Sequence, residues 1–159
     1  IGVGNIGKEL VRLLAPFNCN IYVNDIIDQQ AYYKKNKLIE VDKEQIFELT
    51  DVVTIHTPYN KSTHHMINQD TLSKMKPTSI LINSARGGLI DEKALKLALK
   101  NNLIAGAAID VYENEPPKDS AFLEIPNLIC TPHIGGNSKE AIESMGTCAI
   151  NHILEFYKG

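Results

Sequence analysis

Four short apolar runs punctuate the chain after its first third: Asp51–His56, Ser79–Asn83, Ala105–Ile109 and Leu128–Cys130. Hydrophobic residues fill consecutive positions in them instead of alternating with polar ones. A strand of that kind must be covered on both faces, which is the condition of a parallel sheet sandwiched by helices. The segments between the runs supply such helices. Residues 5–15 place Ile6, Leu10, Leu13 and Leu14 at helical spacing, and Pro16 and Asn18 close the helix. Asp42 before Lys43-Glu44-Gln45 starts a helix over 43–49 with a capping box. Residues 69–75 read as a short helix halted near Pro77, and Asp91 caps one carrying Leu95 and Leu99. A long closing helix spans 138–157.

Ahead of the four runs, residues 20–24 alternate around Ile21 and Val23 and form a further strand ending at Asp25. Residues 26–37 are polar and lysine-rich, a short surface helix or loop, and Leu38-Ile39 reads as an edge strand. The stretch 111–127, with Pro116, Pro117 and Pro126, reads as loop. The expectation is one doubly wound α/β domain of the Rossmann type over residues 1–159, with no internal repeat or linker. Ile1 stands directly before a glycine turn that normally follows a whole strand. The first strand is therefore expected to be truncated to its last residue, with natural sequence preceding it.

A formal charge of −3 argues against a broad nucleic-acid surface but leaves room for a nucleotide in a local site. No apolar run approaches the roughly 20 residues of a membrane span. Cys19, Cys130 and Cys148 are widely spaced and form no CxxC pair, so they read as free, mostly buried thiols in a reducing cytoplasm.

Gly2-Val3-Gly4-Asn5-Ile6-Gly7 has the spacing of a dinucleotide-binding turn: a tight turn, a backbone open to pyrophosphate, and close helix packing. The same residues fit the start of a P-loop through Gly7-Lys8. Glu9 then stands where a P-loop needs Ser or Thr for magnesium. Asp25, 18 residues past Gly7, suits the adenosine ribose hydroxyls and would repel a 2′-phosphate. No arginine follows it, so NAD is favoured over NADP.

Three further segments follow the ends of expected strands: Asn83–Gly88, Asn114-Glu115-Pro116 and Thr131–Gly136. They offer an arginine, a glutamate and a histidine. Only two arginines occur, Arg12 and Arg86, against fourteen lysines, and a guanidinium fork suits a carboxylate. These segments, with Gly2–Gly7, His56-Thr57-Pro58, Thr63, Met66-Ile67, Asp91-Glu92 and Ala107–Glu115, span nearly the whole chain. In that order the chain resembles the NAD-binding domain of the D-isomer-specific 2-hydroxyacid dehydrogenases.

The resemblance implies roles by position. Arg86 would hold the substrate carboxylate and polarise the keto oxygen. His133 would be the general acid in reduction and the general base in oxidation, with Glu115 hydrogen-bonded to it. Ser84 and Asp110 would contact the nicotinamide end, and Thr57-Pro58 would wall the adenosine. Gly2, Gly4, Asn5, Ile6, Gly7, Ala85 and Gly135 complete the expected cofactor contacts. His64 and His65 read as surface or packing residues, His56 as shaping its strand end, and His152 as structural. The partner implied is a small 2-hydroxy or 2-keto acid, with no nucleic acid and no membrane, in a homodimer joined through this domain. Context leans toward the 3-phosphoglycerate dehydrogenase branch. The family's substrate domain is not visible, so this segment alone is expected not to turn over. The alternative class is an NAD-sensing interaction module like the C-terminal-binding-protein corepressors, which share the fold and the catalytic residues.

Overall fold

The computed structural model describes residues 1–158. Helix α1 (Asn5–Leu14) follows the glycine turn, then come β1 (Tyr22–Val23), α2 (Gln30–Asn36), β2 (Ile39–Glu40) and α3 (Lys43–Leu49). The second half runs β3 (Val52–Ile55), α4 (Gln69–Lys74), β4 (Ile80–Asn83), α5 (Glu92–Lys100), β5 (Gly106–Ile109), α6 (Ser120–Leu123), β6 (Leu128–Cys130) and α7 (Lys139–Lys158). Every paired strand is parallel, in the orders β1-β2 and β3-β4-β5-β6.

Ile1 and Gly2 join the two ladders. The Ile1 amine donates to Thr54 O at 2.8 Å, His56 N–H donates to Ile1 O at 2.8 Å, and Gly2 N–H donates to Asn24 O at 2.9 Å. Ile1 thus occupies a strand position between β1 and β3, as the glycine motif led us to expect. The first segment in sequence lies in the middle, so strand order runs outward in both directions from it. The crevice at such a switch point, at the carboxyl ends of the strands, is where doubly wound folds bind ligands. Level register brings the ends of β3 to β6 to one rim, with Ile55 beside Asn83, Asn83 beside Ile109 and Ile109 beside Cys130.

Helices form where local chemistry permits. Asp42 accepts the Gln45 amide while Gln45 returns a bond to the Asp42 backbone, the expected capping box. Asn68 and Thr71 do the same for α4, and the Asp91 side chain caps α5. These helices bury Phe47, Leu72, Leu95 and Leu99 against Val53, Ile55 and Leu81 of the sheet. The opposite side of the strands is more open: Val52 and Ile129 are over half exposed.

Several expectations change. The strand expected over 20–24 pairs only at Tyr22–Val23. The stretch expected as loop, 111–127, contains the single turn α6, which buries Phe122 under an Asp119 cap. The cysteines are free but not mostly buried: Cys19 and Cys148 are exposed and Cys130 is half-buried. Their neighbours explain this, since Cys19 sits in a turn and Cys148 on α7, which buries no residue. For the same reason His152 packs no core; it is exposed on α7, 3.9 Å from the Cys148 sulfur. Among the described residues no helix is long and apolar enough to cross a membrane.

Leu81 is fully buried at the centre of the sheet. Leu81→Ala is expected to destabilise the fold by about 2–5 kcal/mol in urea unfolding. A loss below about 1 kcal/mol would show that this packing is not what holds the sheet to its helices.

Candidate active site

The glycine turn has the shape its sequence requires. Gly2 lies at φ +88°, in the left-handed region, and a Cβ there would stand 2.8 Å from the His56 carbonyl. A Cβ on Gly7 would stand 2.3 Å from Gly2 O, so the helix can approach the turn only without a side chain. Gly4 has nothing within 4 Å and N-caps α1 without any side-chain bond. The first α1 amides, at exposed Asn5 and Ile6, are left for an anion. Glu9 is turned to Arg12, in a two-pronged pair reaching 2.6 Å.

Asp25 sits beyond the end of β1. Its Oδ2 accepts Val3 N–H at 2.5 Å and its Oδ1 accepts Ile27 N–H at 3.0 Å. Gln29 Nε2 also reaches Oδ2 at 3.5 Å, so of a carboxylate's roughly four acceptor sites about one is left for a further donor. A Cβ on Gly2 would also stand 3.0 Å from the Thr57 methyl, and Pro58 is exposed at the same rim. The glycine turn and the Asp25 carboxylate thus stand at the same switch point. His56 does shape its strand end: Thr54 Oγ1 lies 3.0 Å from its Nε2, and burial holds its pKa below the ordinary imidazole value.

The next three strand ends build a second group of side chains. Buried Asn83 closes β4 and folds the following turn. Its amide donates to Arg86 O at 2.9 Å and its carbonyl accepts Ala85 N–H at 3.0 Å. Ser84 and Arg86 are consequently exposed, and Arg86 has no carboxylate partner among the described residues. Gly87 then passes the other loop so closely that a Cβ would lie 1.9 Å from the Tyr112 carbonyl.

Asp110, at the end of β5 and only 8% exposed, grips the loop after β6. It accepts the Thr131 hydroxyl at 2.5 Å, Ile134 N–H at 2.9 Å and Gly135 N–H at 2.7 Å. Burial opposes its charge, but these donors outweigh burial and hold the carboxyl below its usual range. The Tyr112 hydroxyl, whose pKa burial pushes up, stays a neutral donor and bonds Thr131 O at 2.9 Å. His133 lies between these anchors at φ +54°, a conformation costing an L-residue about 1–3 kcal/mol unless its surroundings impose it.

His133 Nδ1 meets Glu115 Oε2 at 2.7 Å, and Glu115 Oε1 accepts Tyr112 N–H at 3.1 Å. The bond from His133, then that from Tyr112, holds the Glu115 carboxyl below the usual range. An ionised carboxylate only accepts, so Nδ1 carries the proton of a neutral ring and Nε2 is left to gain or lose one. Arg86, Glu115 and His133 line one open cavity of about 560 Å³.

Sequence reasoning brought the right segments together but missed what holds them. Asn83, Tyr112 and Thr131 act through bonds that no spacing rule reveals. Asp110, expected at the nicotinamide, spends bonds from both oxygens on the histidine loop. His65, expected as a surface or packing residue, has its Nε2 3.0 Å from Glu113 Oε1, and with His64 it lines the Arg86 cavity.

A parallel sheet with a tight glycine turn at its switch point is the architecture of a dinucleotide-binding domain. The family model for the D-isomer-specific 2-hydroxyacid dehydrogenase NAD-binding domain matches residues 1–135, and the chain belongs to that family. D-3-phosphoglycerate dehydrogenase of Bacillus subtilis (strain 168) is 39% identical over 159 residues, covering all of this chain and 30% of the relative. Among solved structures, the NAD complex of a D-isomer-specific 2-hydroxyacid dehydrogenase from Lactobacillus delbrueckii ssp. bulgaricus superposes with a TM-score of 0.88 at 28% identity. That match covers 99% of this chain and 52% of the other. The NADPH-dependent glyoxylate/hydroxypyruvate reductase of Sinorhizobium meliloti, in complex with NADP and malonate, reaches 0.91 at 30% identity, covering 99% and 48%. The chain thus spans about half the length of these solved relatives and less of the Bacillus one.

Because Asp110 and Glu115 have lowered pKa values in the fold, the stability they add is complete above the ordinary carboxyl value of about 4. It is lost as pH falls through the lowered values. Asp110→Asn removes the charge from three hydrogen bonds at neutral pH. Amide exchange at Ile134 and Gly135 should then quicken by roughly tenfold or more. Unchanged exchange would show that the loop is held by something else.

Proposed function

We propose that this chain is the cofactor-binding half of an NAD-dependent oxidoreductase that interconverts D-2-hydroxy acids and 2-keto acids. The observation that carries the reading is one cavity holding an unpaired guanidinium beside an imidazole whose far nitrogen is free. A 2-keto acid needs both. Arg86 suits its carboxylate through the two-pronged geometry only arginine offers, and its charge in the same cavity would polarise the adjacent carbonyl. His133 Nε2 gives the carbonyl oxygen its proton on reduction and takes it back on oxidation. Glu115 fixes the ring and balances the imidazolium charge. Bound NADH supplies the hydride, and NAD accepts it in the reverse direction.

The glycine turn with Gly2, Gly4 and Gly7 receives the pyrophosphate, and Asp25 receives the adenosine ribose. Thr57 and Pro58 wall the adenosine; Ser84, Ala85 and the one acceptor site that Asp110 keeps serve the nicotinamide end. Gly135 holds the histidine loop at Asp110. Similarity to relatives named for phosphoglycerate and for glyoxylate supports a small 2-keto acid as substrate. A substrate domain closes the cleft in the whole protein, which works as a homodimer in the cytoplasm.

NADH oxidation by the whole protein should be measured with glyoxylate, hydroxypyruvate, pyruvate and phosphohydroxypyruvate. Turnover is expected on at least one, with His133→Ala lowering kcat by roughly a hundredfold or more. Arg86→Ala should lower kcat/KM chiefly by raising KM. Bound NADH with no turnover on any of the four would sink the reading. Separately, Asp25 predicts tighter binding of NAD than of NADP, and the reverse order in a titration would refute its assignment to the ribose.

A further inference from the structure

Beside the reacting groups lies a second cluster that the reaction does not use. Glu113 Oε1 is approached by two nitrogens from two other parts of the chain. One is the Glu92 amide at 3.2 Å, at the start of α5, and the other is His65 Nε2 at 3.0 Å. The clasp with α5 is reciprocal, since Glu113 N–H donates to Glu92 Oε1 at 2.7 Å. His65 is tied to the Arg86 turn as well, its amide donating to Gly88 O at 2.9 Å. Its ring stacks on His64 with centroids 3.8 Å apart.

Three segments therefore meet at one carboxylate: the turn bearing His65, the start of α5, and the loop that leads two residues on to Glu115, while the turn after Arg86 is tied in through the His65 amide. Burial raises the Glu92 pKa, while the hydrogen bond from the Glu113 backbone works against that rise. The His65 ring nitrogen stands against the Glu113 carboxylate that the α5 start also holds. The His65 and Glu113 side chains are each about two-thirds shielded, at 32% and 31% exposure, and they line the cavity shared by Arg86, Glu115 and His133.

We propose that His65 and Glu113 form a positioning pair, which holds the Arg86 turn and the Glu115 loop at one mutual geometry so that the carboxylate-binding and proton-transferring groups address the same substrate. The inference rests on the reading of Arg86, Glu115 and His133 as the reacting groups. Neither His65 nor Glu113 touches the reacting atoms. They act through backbone: Gly88 O and the α5 start on one side, the 113–115 loop on the other. A positional error of about 1 Å at such groups can cost roughly a hundredfold in rate.

The test compares His65→Ala with His65→Gln, which keeps a side-chain N–H donor, in the whole protein. Two readouts are taken. The first is steady-state kinetics with the best of the four keto acids, alongside direct NADH titration. His65→Ala is expected to lower kcat/KM by roughly ten- to a hundredfold, with keto-acid KM rising and NADH affinity unchanged. His65→Gln should recover most of it. A loss shared by NADH binding, or no recovery by glutamine, would overturn the proposal in favour of general structural damage.

The second readout needs no turnover. It is amide exchange at Leu89, which bonds Arg86 O, and at Tyr112, which bonds the Glu115 carboxylate. Both should quicken together in His65→Ala, by roughly tenfold, while Ile134 and Gly135 on the Asp110 anchor stay unchanged. If the wild-type protein reduces none of the acids, the functional reading fails while this exchange pattern still decides the coupling. Unchanged Leu89 and Tyr112 exchange would dispose of the positioning pair in either case.

Discussion

The site depends on one buried carboxylate. Asp110 closes β5 and collects a hydroxyl and two amides from the loop that follows β6. That grip forces His133 into a left-handed backbone conformation which an ordinary loop would relax out of. Held there, its Nδ1 falls within 2.7 Å of Glu115, whose other oxygen is pinned by the Tyr112 amide. Strain in one residue is thus imposed by four hydrogen bonds around it, with the Tyr112 hydroxyl as the fourth. Without the anchor, histidine and glutamate would be two exposed side chains on separate loops.

The sheet makes that anchor possible. Parallel strands in level register deliver their carboxyl ends to one rim, so residues from 2 to 135 in sequence share a crevice. Placing Ile1 between β1 and β3 sets the glycine turn against His56 and Thr57 at the switch point. The glycine turn and Asp25 gather there, and Arg86, Glu115 and His133 gather over β4 to β6. The division follows from strand order alone.

Much of this was legible in the residues, and the illegible parts share a cause. Helix α3 runs over the residues expected because its capping box is written within four positions. The apolar runs were readable as buried strands because consecutive hydrophobics admit few other fates. Segment α6 was missed because a four-residue turn among prolines has no periodicity to detect. The cysteines were misplaced because residue type predicts burial only on average, and α7 supplies no interior. Asp110 was seen as a site residue but not as an anchor, since its partners lie 21 to 25 positions away. The His65–Glu113 pair joins residues 48 apart, and only the folded chain brings them together. Local rules recover what local chemistry decides; long-range polar bonds are the consequence of topology.

Gly87 carries a mechanical implication. With room for less than a methyl group between it and the Tyr112 carbonyl, the arginine turn and the glutamate loop are in backbone contact, with no side chain as a cushion. Any side chain at that position would wedge the turn and the loop apart, so the bare Cα sets how closely the two can approach. Closeness is therefore written into the backbone, and polar side chains are left only the task of fixing how the two are turned.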